Sequence, residues 1–272
     1  MFHVIRWCMG LFVVCFALLA HAQNFEAVKR AAERGNASAQ NSLGLMYREG
    51  RDAARNDAEA VRWLRKAAEQ GHAQGQSNLG FMYLHGQGVA RDDVQAVKWF
   101  RKSAEQGEAL GQSNLGMMYV EGRGIAQNDA EAFKWFSRAA EQGNALGQAN
   151  LGFMYYRGQG VAQNDAQAVK WYRKAVEQGE ASAQSKLGLM YLEGRGVTRN
   201  EAEALKLFHM AAKQGNVWGQ HNLGVMHLNG QGVAQDTGKA LLWFHMAAKQ
   251  GNKDSIAALE ALKKRGIILL TP

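Results

Sequence analysis

A ten-residue motif recurs along the chain at intervals of 36 residues, and it constrains the fold more than any other feature. One copy, LGFMYLHGQG, begins at Leu79, and close variants begin at Leu43, Leu115, Leu151, Leu187 and Leu223. A fixed period of this length is typical of solenoids, in which each repeat buries its apolar face only against its neighbours. We therefore predict six stacked repeats, with an incomplete unit at either end.

The 36-residue register divides the chain into a leader, six repeats and two end caps. The predicted repeats are 36–71, 72–107, 108–143, 144–179, 180–215 and 216–251. Residues 23–35 match only the second half of a repeat and predict an N-terminal capping helix, whereas residues 252–272 resemble the first half and predict a C-terminal capping helix and tail. The only proline is the last residue, and Ala, Gln, Glu, Lys and Leu are abundant, which favours helix throughout.

Each repeat has the pattern of two helices joined by a glycine-rich loop. In the fourth repeat the first helix is expected over Ala145–Gly158, and the loop GQGVAQND contains two glycines suited to unusual backbone angles. An Asn or Asp then provides an N-cap, and a Glu or Gln three residues later fits a capping box. The second helix carries Ala168, Trp171 and Ala175 as its core stripe, so each repeat is predicted to be a helix-turn-helix unit.

Two glycine columns lie inside the first helices and are represented by Gly75 and Gly80 in the second repeat. A glycine inside a helix costs about 1 kcal/mol relative to alanine. Such a cost at equivalent positions of several repeats implies a compensating gain. We expect that two helix backbones approach each other closely at these glycines.

These motifs closely resemble the Sel-one-like repeat family, relatives of the tetratricopeptide repeats. The family pattern is A-x-G-Q-x-x-L-G-x-x-Y-x-x-G-x-G-V, then Asn or Asp, then A-x-x-W-x-x-K-A-A-E-Q-G, and it is matched from Ala37 to Gly251. The resemblance implies an all-α fold, a right-handed α/α superhelical solenoid whose first helices line the concave side, and work as a scaffold or adaptor. Asp52, Leu207 and His227 replace the pattern's second loop glycine, tryptophan and tyrosine, and Asp52 predicts a first loop of different shape.

Variable columns on the first helices are the candidate binding surface, because the other columns stay constant. If the first helices face inward, as the resemblance implies, their side chains could form an apolar groove for an extended segment or helix of a partner protein. The predicted groove residues are Phe81, Leu84, Leu110, Met117, Val120, Leu146, Phe153, Tyr156 and Trp218. The alternative is that many of these side chains are ordinary core between helices.

Other candidate chemistry is weak. A column of six methionines, from Met46 to Met226, is predicted to fill the core rather than to bind a soft metal. The late histidines, His209, His221, His227 and His245, lack metal-ligand spacing, so we expect no metal site. No nucleophile elbow, phosphate-binding loop or paired-carboxylate motif occurs. We predict no catalytic residue, no cofactor and no enzymatic activity.

The first 22 residues have the pattern of a cleaved signal peptide. Arg6 gives a basic start, the run from 7 to 20 is apolar, and small residues flank His21 before a cleavage site after Ala22. The apolar run is shorter than the roughly 20 residues that span a bilayer, and an uncleaved anchor is the alternative. Cys8 and Cys15 both lie in this leader, so the mature chain would contain no disulfide.

The chain is basic, with a formal charge of +8 that falls to +7 when the leader and its Arg6 are removed. Lysines and arginines recur on the second helices, where a solvated outer face is the simplest interpretation and weak attraction to an anionic envelope or host surface is the alternative. Nucleic acid is not expected, because no stacking aromatics are interleaved with these charges. We therefore expect a periplasmic or secreted protein that binds a protein or peptide and has no membrane span after cleavage. The alternative of another class is an envelope hydrolase.

Overall fold

The computed structural model describes residues 24–267, and this part of the chain forms fourteen α-helices and no strand. The helices are α1 (24–33), α2 (Ala37–Glu49), α3 (Asp57–Glu69), α4 (Ala73–His85), α5 (Asp93–Glu105), α6 (Ala109–Glu121), α7 (Asp129–Glu141), α8 (Ala145–Arg157), α9 (Asp165–Glu177), α10 (Ala181–Glu193), α11 (Glu201–Lys213), α12 (Val217–Asn229), α13 (Thr237–Lys249) and α14 (Lys253–Lys264). The prediction of an all-α chain is confirmed. The predicted signal peptide lies outside the described residues. Between 24 and 267, no helix is long and apolar enough to cross a bilayer.

The described chain divides into two compact halves, residues 24–135 and 136–267, and each is described by itself. Within each half, the two helices of a repeat pack against each other, and the second helix packs on the first helix of the next repeat. Successive first helices also contact one another, α2 with α4 and α4 with α6 in the first half, α8 with α10 and α10 with α12 in the second. We call the surface formed by these first helices the inner face.

The loop between the two helices of a repeat is closed by a backbone hydrogen bond and a side-chain cap. In the second repeat the Asp92 N–H donates to the Tyr83 carbonyl oxygen (3.0 Å), and the Asp92 side chain accepts from the Gln95 N–H (3.0 Å). The predicted N-cap is therefore confirmed. A capping box has a second hydrogen bond, from the N–H of the cap residue to the side chain three residues later. That part of the prediction is wrong, because the N–H of the cap residue donates to the tyrosine carbonyl oxygen instead. The acidic side chain three residues later pairs elsewhere, as Glu59 does with Arg62 (2.9 Å).

The second loop glycine is required by contact with the preceding repeat as well as by its backbone angle. Gly88 has a φ of 65°, and a Cβ built on it would lie 2.1 Å from the Asp57 carbonyl oxygen at the start of α3. Gly124 stands in the same relation to Asp93, at 2.2 Å. In the first repeat Asp52 holds a φ of 60°, and the loop keeps the backbone hydrogen bonds of the other loops. The expectation of a differently shaped first loop is therefore wrong.

The two glycine columns of the first helices mark two kinds of close contact. A Cβ on Gly75 would lie 2.9 Å from the Ala67 Cβ and 3.3 Å from the Ala68 nitrogen, so this column confirms the expected backbone approach. A Cβ on Gly80 would lie 2.8 Å from two ring atoms of Phe100, which is fully buried. The same Cβ would lie 3.2 Å from the Ala96 carbonyl oxygen, so the second column makes room for a core side chain and also lies against the neighbouring helix backbone.

The column that follows the tryptophans forms the centre of the core. Its fully buried members are Leu64, Phe100, Phe136, Tyr172, Phe208 and Phe244. The tryptophan column, which the sequence predicts as the core stripe, is only partly core, because Trp63 and Trp99 are buried whereas Trp171 and Trp243 are half-buried. The Lys66 ammonium lies 4.4 Å from the Trp63 ring centroid. A basic side chain therefore covers the ring where the apolar core ends.

Paired glutamines connect consecutive repeats. The buried Gln76 side chain donates from Nε2 to the Ala68 carbonyl oxygen of the preceding repeat (3.1 Å) and accepts at Oε1 from Gln106 Nε2 (2.7 Å). The arrangement recurs in the second half, where Gln178 Nε2 donates to Gln148 Oε1 (2.8 Å). The buried amides are thus hydrogen-bonded, and they fix the spacing of repeats whose apolar packing alone is not directional.

Candidate partner-binding face

The nine predicted groove residues all lie on first helices, and none of them is fully buried. The most exposed are Trp218 at 46%, Leu146 at 44% and Leu110 at 37%. The other six are half-buried, whereas the leucine column of Leu43 and the methionine column of Met46 are buried on the same helices. The nine side chains thus cover the core and leave apolar surface open on the inner face. Partner binding at this surface stays a prediction.

In the first half, the inner face contains a shallow cavity of about 220 Å³ between first helices. Its lining residues are Asn41, Leu45, Gln74, Ser77, Asn78, Glu108 and Leu110. Asn78 Nδ2 donates to Asn41 Oδ1 (2.8 Å), which ties α4 to α2. Beside it, the predicted groove residue Phe81 packs on the His85 ring (centroids 4.2 Å apart), and the Arg48 guanidinium lies 5.5 Å from the Phe81 centroid. The cavity therefore combines apolar walls with amide groups and the carboxylate of Glu108.

In the second half, the inner face carries a lysine between two aromatic rings. The Lys186 ammonium lies 5.8 Å from the Phe153 centroid and 5.9 Å from the Trp218 centroid. Burial, and then the positive charge of Arg157, lower the pKa of Lys186, while Glu193 opposes this shift. Within the described chain Lys186 has neither an ion pair nor a hydrogen bond. A cavity of about 180 Å³ opens beside it, lined by Ser185, Lys186, Leu189, Trp218, His221 and Asn222.

The two cavities occupy equivalent places in the repeat. Positions 41, 45, 74, 77 and 78 of the first cavity become 185, 189, 218, 221 and 222 of the second on adding 144, which is four repeats of 36. The depression between consecutive first helices is therefore produced by the repeat itself. The side chains at the variable columns decide what each depression can accept.

The predicted groove residue Tyr156 is held by a cation from the next repeat. The Arg195 guanidinium lies 4.1 Å from the Tyr156 ring centroid and makes two hydrogen bonds to the Asp165 carboxylate (2.8 and 3.1 Å). The Tyr156 ring is therefore positioned by a loop arginine that is itself fixed by an ion pair. An arginine held in this way has less freedom to leave the ring than an unpaired surface arginine.

A similar ion pair in the first half involves two arginines and four hydrogen bonds. Asp93 accepts two hydrogen bonds from Arg123 (2.9 and 3.1 Å) and two from Arg91 (3.0 and 3.2 Å). These arginines, Arg123 first, hold the pKa of the Asp93 carboxyl well below its usual range. The loop of the third repeat is thereby fixed to the start of α5 in the second.

The histidines of the last repeats contact neighbouring side chains rather than one another. No group of three or more His, Cys, Asp or Glu side chains that could hold a metal ion occurs between 24 and 267. His221 Nδ1 lies 2.8 Å from Ser255 Oγ, and the His209 ring lies edge-on to Trp243 at 5.9 Å. Burial lowers the pKa of both imidazoles. The six methionines are buried, which confirms their predicted role in the core.

The basic residues of the second helices are largely engaged with neighbours on the same helix. Arg62, Lys134 and Lys206 pair with the glutamate three residues earlier, at 2.9, 2.6 and 3.3 Å. The Lys102 and Lys174 ammonium groups lie 4.8 and 4.5 Å from the ring centroids of the tryptophans three residues earlier. The outer charges therefore form local contacts instead of one open cationic surface.

The family assignment rests on six consecutive matches to one repeat model. The Sel1 repeat model matches residues 37–72, 73–108, 109–144, 145–180, 181–216 and 219–252. The chain belongs to the Sel1 repeat family. The recognition from sequence motifs and the all-α repeat-solenoid fold are thereby confirmed. A Sel1 repeat scaffold is typical of protein–protein interaction and is generally not catalytic.

Solved structures support the same assignment. A Sel1 repeat protein from Oxalobacter formigenes is 34% identical, with a TM-score of 0.76 over 86% of this chain and 94% of that one. A protective antigen of uropathogenic Escherichia coli with an SLR fold is 39% identical, with a TM-score of 0.72 over 91% of this chain. This Sel1 repeat chain spans about half of that antigen, 53% of its length. An immunity protein from Pseudomonas aeruginosa shares the fold at 22% identity, a TM-score of 0.53, and 78% and 81% coverage. No curated protein matches the chain.

Proposed function

We propose that this Sel1 repeat protein is an exported, non-enzymatic scaffold that binds a segment of another protein on its inner face. The supporting observation is the separation of roles between columns. Leucine and methionine columns of the first helices and a phenylalanine column of the second helices fill the core, while a second set of apolar side chains on the first helices stays open. Depressions between consecutive first helices offer places for partner side chains.

Export to the periplasm or the outside of the cell is part of the proposal. The leader of residues 1–22 supports it, with its basic start, short apolar run and small-residue cleavage site. The similar Escherichia coli protein is a protective antigen, which also supports a location outside the cytoplasm. Fusing residues 1–40 to alkaline phosphatase, which folds only after export, tests this directly. An inactive fusion, or a mature protein that does not begin at Gln23, contradicts this part of the proposal.

Attachment to an anionic polysaccharide through the second helices has less support. The cations on that face already pair with glutamates or cover tryptophan rings. Exposed pairs of this kind are weak, about 0–1 kcal/mol each, but an anionic polymer would still have to displace them. The open apolar surface of the inner face requires no such displacement.

Two exposed leucines allow partner binding to be tested without damage to the core. Leu110→Glu and Leu146→Glu place a charge on the inner face of each half, at side chains that are already 37% and 44% exposed. Val94→Glu is the matched control, because Val94 is 62% exposed and lies at the start of a second helix. Crosslinking in the native envelope, followed by mass spectrometry, should recover the same partner with wild type and with Val94→Glu.

The two leucine variants should lose at least about 90% of that partner while keeping the wild-type circular dichroism and thermal unfolding. A tenfold loss corresponds to about 1.4 kcal/mol, which a charge buried against an apolar partner side chain readily causes. Equal recovery by all four proteins would show that the partner binds elsewhere. Recovery of bulk envelope proteins alone would remove the support for a specific partner.

A further inference from the structure

Three strong departures from the repeat pattern lie together on the inner face of the second half. Lys186 occupies a column whose other members are Ser42, Asn78, Asn114, Asn150 and Asn222. Trp218 occupies a column otherwise formed by Ser38, Gln74, Leu110, Leu146 and Ser182. His221 occupies a column otherwise formed by Asn41, Ser77, Ser113, Ala149 and Ser185. All three line the same cavity of about 180 Å³.

His221 holds the exposed tryptophan in place. The two rings meet edge to face, with centroids 6.2 Å apart and planes at 87°. His221 in turn lies 2.8 Å from Ser255 Oγ and 5.7 Å from the centroid of the buried Phe244 ring. Trp218 is thus a rigid apolar wall, although nearly half of its surface is exposed. A wall fixed in advance loses little entropy when a partner binds against it.

Lys186 supplies the polar group of the cavity. Its ammonium is half-buried between Phe153 and Trp218 and has no ion pair within the described chain. The charges that act on it are those of the cation Arg157 and the anion Glu193. A lysine of the outer face, Lys206, instead has its own glutamate at 3.3 Å. Cation–π contact offsets only part of the lost hydration, so an arriving anion would gain a charge-assisted hydrogen bond.

The size of the cavity selects the kind of anion. At about 180 Å³ it is smaller than the roughly 300–1,000 Å³ of pockets that enclose small-molecule ligands, and it is open to the groove on one side. One side chain of a longer segment fits such a depression. Asn222, at the cavity wall, offers an amide that can hydrogen-bond to the backbone of that segment.

We propose that this cavity, the Lys186 pocket, binds a carboxylate of an extended partner segment, with an adjacent apolar residue of that segment against Trp218. The carboxylate belongs to an Asp or Glu side chain or to the C-terminus of the segment. The inference rests on the proposed function and adds the chemistry that the partner must present. It also locates the acidic contact in the second half of the chain.

Selection of displayed random decapeptides on the mature chain tests the pocket. Wild type should enrich peptides with one acidic position next to an apolar residue. A synthetic copy of the best peptide with Glu→Gln, or with an amidated C-terminus when the acid is terminal, should bind about tenfold more weakly by fluorescence anisotropy. The two peptides together identify which carboxylate is used.

Lys186→Asn restores the amide of the neighbouring repeats and is therefore expected to fold. It should abolish the difference between the acidic and neutral peptides, whereas the control Lys206→Asn should preserve it. Trp218→Ser introduces the residue that the preceding repeat has at this position, and it should weaken the binding of the acidic and neutral peptides equally.

Selection of no peptide by wild type would overturn the proposed scaffold function itself. Peptides without acidic enrichment, with equal affinity for wild type and Lys186→Asn, would overturn the Lys186 pocket and leave the scaffold function standing. Binding of an acidic oligosaccharide that Lys186→Asn removes, in place of peptide binding, would also overturn the pocket as a peptide site.

Discussion

Tyr172 carries a buried hydroxyl group that has no hydrogen-bond partner, and its removal should stabilise the protein. The side chain is 1% exposed and belongs to the core column whose other aromatic members are phenylalanines. Burying an unpaired hydroxyl costs about 1–3 kcal/mol in proteins. Tyr172→Phe keeps the ring against Gly152 and removes only this oxygen. We expect the free energy of unfolding to rise by about 1–2 kcal/mol.

Alkaline pH should enlarge the difference in unfolding free energy between wild type and Tyr172→Phe. Burial raises the pKa of the Tyr172 hydroxyl far above its ordinary value near 10. The pKa of the hydroxyl is higher in the folded state than in the unfolded state. The free energy of unfolding of wild type is therefore unaffected by this group below about pH 10 and falls as the pH rises further. At pH 11 the unfolded tyrosine is mostly ionised while the folded one is not. Wild type should therefore lose about 1.4 kcal/mol relative to Tyr172→Phe between pH 9 and pH 11.

Urea unfolding at pH 7, 9 and 11, followed by circular dichroism and tryptophan fluorescence, measures both effects. Tyr191→Phe is the control, since that hydroxyl is on the surface and accepts a hydrogen bond from Arg173 (2.9 Å). The control should be neutral or slightly destabilising. A stability loss in Tyr172→Phe, or a difference that does not grow with pH, would refute the reasoning and show that the hydroxyl has a partner such as a trapped water.

Two further predictions concern the contacts between repeats. Gln76→Ala removes two neutral hydrogen bonds at about 1 kcal/mol each and should lower the free energy of unfolding by about 2 kcal/mol. Gln106→Ala removes only the hydrogen bond that the two glutamines share and should lower it by about 1 kcal/mol. The double variant should therefore cost about 2 rather than 3 kcal/mol in urea unfolding, and simple additivity would contradict the pairing. Arginines lower the pKa of Asp93, so its carboxylate stabilises the fold above about pH 4 and this stabilisation is lost as the pH falls. Asp93→Asn should remove this acid-sensitive part, about 1 kcal/mol for a half-buried pair that water still screens, from the dependence of the unfolding free energy on pH between pH 5 and pH 2. An unchanged pH dependence would place the acid sensitivity elsewhere.

The repeat period predicts the helices and loops well because it exposes backbone requirements. A glycine recurs at the position of Gly88, where a Cβ would clash with the preceding repeat, and an Asn or Asp recurs as N-cap at the position of Asp92. These two columns therefore identify the loop and the start of the second helix directly. The tryptophan column misleads, because Trp99 and Phe100 are adjacent and differ by about 100° around the helix. Side-chain size in a sequence does not tell which of the two points to the centre of the core.

Polar columns are harder to interpret from sequence. Gln76 is the same letter whether its amide is solvated or buried in a network, and its partner Gln106 lies 30 residues away on another helix. Lys186 is equally ambiguous, because its environment depends on rings 33 residues before it and 32 residues after it, Phe153 and Trp218. Both aromatic residues are among the predicted groove residues, but the lysine between them is not. The visible signal was a single lysine in a column of Asn and Ser.

The nearly uniform repeats confine partner recognition to a few positions. Stacking uses the glycines of the Gly80 column and the paired glutamines, and these columns are the same in all six repeats because added bulk or a lost amide would lower the stability. A variable inner-face position such as Lys186 is free of that restriction but carries the cost of a half-buried, unpaired charge. Within the described chain Lys186 has two cation–π contacts and the attraction of the Glu193 charge but no ion pair, and a carboxylate from a partner is the interaction that would offset its burial.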